Sequence, residues 1–97
     1  MQLPAPIEFI WDIANKYKNL EKHTVNVDEI EQVFFDEQKK TFLDVIHSEK
    51  EVRYRVVGKT KENRLLFVVF TVRGNKIRVI SARDLNKKEY SLYEKRT

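Results

Sequence analysis

The 97-residue chain contains no cysteine, which removes any disulfide framework and every thiolate ligand or redox site. Its two histidines therefore have no partners for a zinc set of the usual spacing. Asp12, Asp28, Asp36 and Asp44 lie too far apart in the sequence to suggest a two-metal cluster, so neither a metal nor another cofactor is implied. Long hydrophobic runs are missing as well. The longest, Leu65 to Phe70, is far short of the roughly 20 residues of a membrane span. The N-terminal M-Q-L-P-A-P-I has no basic start and no apolar h-region, so secretion is not expected and a reducing cytoplasm is. Gly58-Lys59-Thr60 has no glycine upstream and leads into a strand pattern, which excludes a P-loop. No repeat or low-complexity segment interrupts the chain, and its length suits a single domain over residues 1–97.

What is present is positive charge, unevenly placed. Residues 1–51 carry 6 Lys/Arg and 11 Asp/Glu, a net −5, whereas residues 52–97 carry 13 and 4, a net +9. The basic half concentrates around I-R-V-I-S-A-R, Ile77 to Arg83. Between Arg73 and Lys88, Arg73, Lys76, Arg78, Arg83, Lys87 and Lys88 face the single acid Asp84. A basic surface on a rigid sheet attracts phosphates or an acidic protein.

Periodicity divides the chain into an acidic helical half and a basic sheet half. A short strand is predicted over Ile7 to Trp11. Asp12 then caps a helix whose Ile13, Ala14, Tyr17 and Leu20 form one apolar stripe, ending near His23. Asn26 and Glu29 have capping-box spacing for a second helix that buries Val27, Ile30, Val33 and Phe34. From Thr41 the period becomes two, predicting strands over Phe42–Val45, Val52–Gly58, Leu65–Val72 and Lys76–Ala82, with tight connections at Glu62-Asn63 and Gly74-Asn75. Short links favour antiparallel neighbours, and the two-sided apolar Leu65–Val72 belongs at the centre. Alternation sends Arg53 and Arg55 to one face and Tyr54 and Val56 to the other. A last helix starts at Asn86, which has box spacing to Glu89. The expected class is α+β: a short N-terminal strand, two helices, an antiparallel four-stranded sheet and a C-terminal helix.

Over Phe9 to Tyr93 the chain resembles the BrnT-type toxins of prokaryotic type II toxin-antitoxin pairs, relatives of the RelE-like ribonucleases. The resemblance rests on motifs in order. They are F-x-W-D at Phe9 to Asp12, the spacing of Lys16, Asn19, Lys22 and His23, and H-S-x-x-E-x-R-Y from His47 to Tyr54. Gly58, L-L-x-V-V-x-T-x-R-G from Leu65 to Gly74, I-R-V-I-S-A-R and the Glu89/Tyr93 pair follow. Family members usually carry glycine where this chain has Thr24, which predicts a corner built differently, since a β-branched residue is strained in a left-handed cap. Ile13 stands where proline is frequent. The resemblance implies a RelE-like fold and a ribonuclease that halts translation. It also implies a BrnA-type ribbon-helix-helix antitoxin in a 2:2 heterotetramer, with operator DNA bound only through the antitoxin.

Metal-free RNA cleavage needs a base for the 2′-OH, cationic donors for the phosphorane and an acid for the leaving oxygen. Arg53, Arg78 and Arg83 are the first candidates for the donors, because guanidinium forks match phosphate oxygens. Arg73, Lys76, Arg55, Lys22 and His23 are candidates for RNA binding. Acid or base work falls to His47, Glu51 or Tyr90, with His23 also considered, although the Lys22-His23 pair equally suits a helix C-terminus. Solvated strand arginines and salt bridges are the plain alternative for the cations. Phe9, Trp11, Phe34, Phe67 and Phe70 fall at apolar positions where core packing is the default over base stacking. The same arginines would serve a non-catalytic RNA-binding module or the seat of an acidic protein partner.

Overall fold

The structure, a computed structural model, describes residues 3–45 and 50–94. In chain order it forms β1 (Phe9–Ile10), α1 (Ile13–His23), α2 (Val27–Phe34), β2 (Lys40–Leu43), β3 (Tyr54–Lys59), β4 (Leu65–Arg73) and β5 (Lys76–Asp84). A 3₁₀ turn (Lys87–Glu89) then leads into α3 (Tyr90–Glu94). The strands make one sheet in the order β1-β5-β4-β3-β2. The β2–β5 block is antiparallel as expected, with β4 in the middle. However, β1 adds to β5 in parallel, pairing Phe9 with Ile77 and Ile10 with Arg78. The sheet is therefore five-stranded and mixed, not a four-stranded antiparallel one. β1 and β5 are the first and last strands of the chain, with both helices and β2–β4 between them, so the parallel pair needs no tight connection, and the Ile77 N–H donates to the Glu8 carbonyl at 2.8 Å. Among the described residues no helix is long and apolar enough to cross a membrane.

α1 and α2 cover one face of this sheet, and the core lies between. Ile30, Val33 and Phe34 of α2 meet Val56, Leu66, Val68, Phe70, Ile77 and Val79. Phe9, Phe34, Phe70 and Tyr54 follow one another at ring distances of 5.3, 5.0 and 5.6 Å, two of the contacts edge-on. Gly58 lets α2 approach closely, since a Cβ there would stand 2.9 Å from Val33 Cγ1. The caps follow the sequence. Asp12 accepts from the Ala14 N–H at 2.8 Å, and both Asn26/Glu29 and Asn86/Glu89 close reciprocal boxes. Gly74 and Asn75 both have positive φ, as a two-residue hairpin turn requires.

α1 overturns its expected orientation. Ile13, Tyr17 and Leu20 are 71%, 60% and 46% exposed, so the apolar stripe points to solvent. The sheet receives two asparagines instead. Asn15 Nδ2 donates to the Val79 carbonyl at 3.1 Å, and Asn19 Oδ1 accepts from the Ala82 N–H at 3.0 Å. The reason lies in β5, where a bulge places Val79 opposite Phe70 but Ser81 opposite Val69, leaving Ile80 as an extra residue. Backbone groups beside a bulge lack ladder partners, and a buried polar backbone left unmet is costly. Polar side chains at this face are worth more than apolar ones.

The corner after α1 is also not built as expected. Thr24 itself adopts the left-handed conformation, with φ 55° and ψ 38°, and its N–H donates to the Leu20 carbonyl at 3.0 Å. Val25 follows, fully buried. Satisfying the last carbonyls of α1 and seating Val25 outweigh the strain. Thr24→Gly is expected to raise stability by about 1 kcal/mol, the relief of left-handed strain less glycine's greater unfolded entropy, which thermal unfolding would register as an increase of several degrees.

Ionisable groups fasten the element ends. The Arg64 guanidinium donates to Asp84 at 2.6 and 3.0 Å, to Glu29 at 3.0 Å, and to the carbonyls of Thr24 and His23 at 2.8 and 3.0 Å. Asp84 is held below its ordinary value chiefly by that hydrogen bond, and Glu89 is lowered by its bond from Arg83. For Asp36 burial is the largest influence and raises it. Donation from the Lys59 and Gln38 N–H groups and from Tyr93 nevertheless leaves it lowered. Burial, and then the hydrogen bond to Asp36, push Tyr93 up to about 12. The signs follow by linkage. Three depressed carboxylates contribute stability that is lost as pH falls below roughly 4, and the raised phenol contributes stability lost as pH climbs beyond its unfolded value near 10. Melting temperature plotted against pH is expected to form a plateau that falls at both ends. A curve flat down to about pH 2 would contradict these pairings.

Candidate functional site

The sheet face opposite the core carries the other half of each strand's alternation. Arg53 and Arg55 come from β3 and its entrance, Phe67 and Val69 from β4, and Ile80, Ser81 and Arg83 from β5. With Asp44 at the exit of β2 they line a recess of about 360 Å³. Strand register explains the grouping. Arg55 sits opposite Val69, Val69 opposite Ser81, and Phe67 opposite Arg83. The Asp44 N–H donates to the Arg53 carbonyl at 2.8 Å, which sets Asp44 on the same face as Arg53. The bulge turns both Ile80 and Ser81 toward this space.

The three arginines have different surroundings. Arg83 makes a two-point bond to Glu89 at 2.7 and 2.8 Å, donates to the Asp84 carbonyl at 3.1 Å, and lies 4.2 Å from the Phe67 ring centre. The Glu89 bond, opposed by burial, raises its already high pKa. It is thus a fixed, largely neutralised plate. Arg55 lies on the same ring, its Cζ 5.9 Å from the centre. Its buried Nε has no hydrogen-bond partner among the described residues. A buried guanidinium N–H left unmet is costly, so this donor favours an anionic guest. Arg53 and Asp44 complete the wall, and Asp44 is only 5% exposed.

Of the cations singled out from sequence, Arg53, Arg55 and Arg83 are brought together. The others lie elsewhere. Arg78 faces Asp12 at 3.6 Å, and Arg73 pairs with Glu51 at 3.2 Å, with Lys76 opposite Arg73 at the hairpin turn. Lys22 and His23 are exposed in the last turn of α1, and Tyr90 opens α3, 39% exposed. None of these lines the recess, and His47 falls outside the described residues. Asp44, Ser81 and Phe67 were not expected there. Phe34 and Phe70 are buried, with Phe9 and Trp11 packed against the core, whereas Phe67 belongs to the recess. The signal that was available for Asp44 is parity: once it pairs with Arg53, it must share that residue's face.

A larger open concavity of about 980 Å³ lies at the end of α2. In its lining Asp28, Glu31, Asp36 and Glu37 outnumber Lys59 and Lys61, a balance that disfavours a polyanion. Among the described residues no three His, Cys, Asp or Glu converge to hold a metal ion.

Comparison with known proteins adds three findings. The family model described as the ribonuclease toxin, BrnT, of type II toxin-antitoxin systems matches residues 11–89. Among solved structures the chain is similar to the 1.1 Å crystal structure of the Brucella abortus ribonuclease toxin BrnT. The TM-score is 0.65 at 23% identity, covering 84% of this chain and 99% of that one. A search of curated proteins finds no match.

Proposed function

Since the chain belongs to the BrnT family of ribonuclease toxins of type II toxin-antitoxin systems, we propose that the arginine-lined recess is where it binds and cleaves RNA. The observation that carries this reading is the buried Nε of Arg55, without a hydrogen-bond partner among the described residues, beside Arg53 on a face that gathers cations from neighbouring strands. A phosphodiester entering the recess meets the guanidinium groups of Arg53 and Arg55. These hold its oxygens and favour the extra charge of the five-coordinate transition state. Arg83, clamped by Glu89 and laid over Phe67, supports the phosphate site or stacks beneath a base. The reaction is metal-independent and halts translation in the cytoplasm. A ribbon-helix-helix antitoxin of the BrnA type neutralises the toxin in a 2:2 heterotetramer, and operator DNA is contacted through the antitoxin alone.

The test is incubation of the purified chain with total RNA and with a defined oligonucleotide in excess EDTA, beside an Arg53→Ala/Arg55→Ala double variant. Cleavage by the parent that the double variant lacks supports the reading. RNA bound but left intact would instead make this face a non-catalytic binding surface.

A further inference from the structure

We propose that Arg83 is a stacking platform for a nucleobase beside the scissile phosphate, and that Glu89 is the residue that positions it. The inference rests on the reading of the recess as an RNA site. It deepens that reading by separating the group that receives a base from the group that receives a phosphate.

A guanidinium offers RNA an edge of N–H donors for phosphate oxygens and a flat face for a base. In Arg83 the edge is already used. Glu89 accepts from both terminal nitrogens at 2.7 and 2.8 Å, and the Asp84 carbonyl accepts from Nη1 at 3.1 Å. A phosphate arriving at that edge would have to displace a carboxylate and would meet its negative charge. One face is used as well, because the Arg83 Cζ lies 4.2 Å over the centre of the Phe67 ring. What is left is the opposite face. Arg83 lines the recess and its side chain is 36% exposed, which leaves that face within reach of a guest. The plate is also held in place. Glu89 Oε1 accepts from the Asn86 N–H at 3.1 Å, and the Glu89 N–H donates to Asn86 Oδ1 at 3.0 Å. The capping box of the 3₁₀ turn thus fixes the carboxylate that fixes the arginine. A plane held by its edge and backed by a ring loses little freedom when a base settles on it. Arg55 lies on the same Phe67 ring, its Cζ 5.9 Å from the centre, so a base on Arg83 adjoins a phosphate on Arg55.

The probe is a short 2′-O-methyl oligoribonucleotide, which cannot be cut through its 2′ oxygen, together with a series in which one base at a time is removed. Binding is measured for the parent and for Arg83→Lys, which keeps a cation for Glu89 and for phosphates but has no plane. The lysine variant is expected to bind the complete probe about tenfold more weakly or worse, the loss of one stacked base. At one position of the series the parent should lose the same factor, while Arg83→Lys loses less than about twofold more. Glu89→Gln keeps the side-chain length and can still accept in the capping box. It is expected to show a several-fold loss that vanishes when the same base is removed, and it carries the test should Arg83→Lys fail to fold. Parent-like binding of the complete probe by the folded lysine variant would overturn the platform. So would a weakening that persists whichever base is removed, the mark of a phosphate contact. Parent-like binding by Glu89→Gln would remove its positioning role. Cleavage of unmodified RNA, assayed in parallel, separates the two claims. A base-dependent loss with RNA left intact would sink the ribonuclease reading and leave the platform standing, whereas a parent that binds no RNA would overturn both.

Discussion

Alanine in place of Arg55 is expected to lower RNA cleavage by roughly 10²–10³-fold, the loss typical of one donor aimed at developing transition-state charge. The thermal transition should hardly move. The two halves of this result have one cause. Arg55 keeps a buried Nε without a hydrogen-bond partner among the described residues, which costs the folded protein about 1–3 kcal/mol. Alanine removes that cost but also removes the alkyl stem and the contact with Phe67. These losses nearly cancel, so stability should stay within about 1 kcal/mol. Arg78→Ala is the informative control. Arg78 lies outside the recess, against Asp12, and should change cleavage by less than about threefold, in keeping with the small worth of such pairs. Parallel cleavage assays and thermal melts of the two variants decide the matter. If Arg78→Ala were the more damaging, the phosphate site would lie at the β1–β5 end of the sheet and not in the recess.

Loss of Arg64 should produce the opposite pattern, with stability lost first. Its guanidinium spans three elements: the last carbonyls of α1, the capping-box Glu29 of α2 and Asp84 at the end of β5. Charge-assisted bonds are worth about 1.5–3 kcal/mol each, but they share one side chain and do not add. The 27% exposure of that side chain calls for a further discount for screening. About 3 kcal/mol is the expected cost of Arg64→Ala, and for a chain of this size it lowers the melting temperature by more than about 10 °C. Lysine should recover less than half, because a single ammonium cannot reach a carboxylate fork and two carbonyls together. A melt of Arg64→Ala within 2 or 3 °C of the parent, on the order of 0.5 kcal/mol, would show that the corner is held by other means.

Arg64 also marks a boundary of what could be read in the sequence. Its neighbours in space lie 20, 35, 40 and 41 residues away, and nothing local distinguishes it from any other basic residue near a turn. By contrast, the capping boxes, the Gly74-Asn75 turn, the apolar face of α2 and the central place of β4 depend on short-range rules and were legible. The orientation of α1 was not. Its apolar residues at helical spacing suggested a buried stripe, but the sheet beneath offered backbone groups that called for Asn15 and Asn19. In the recess, the alternation of Arg53 and Arg55 followed directly from strand periodicity. Glu89 as the holder of Arg83, and Asp44 as a member of the wall, depended on how the 3₁₀ turn folds back on the end of β5 and on the register of β2.

The extra residue at Ile80 has a wider consequence for the arithmetic of β5. In an unbroken strand, odd and even positions part company: Ile77, Val79 and Arg83 would all turn inward, and Arg78 and Ala82 outward. One supernumerary residue exchanges odd for even midway. Ile77 and Val79 enter the core before it and Ala82 after it, while Arg78 and Arg83 share the outer face. A single strand thereby serves hydrophobic packing along its whole length and still delivers a cation to the recess. Shortening this segment by one residue would leave its composition nearly unchanged but would send either the arginine into the core or the core residues into water.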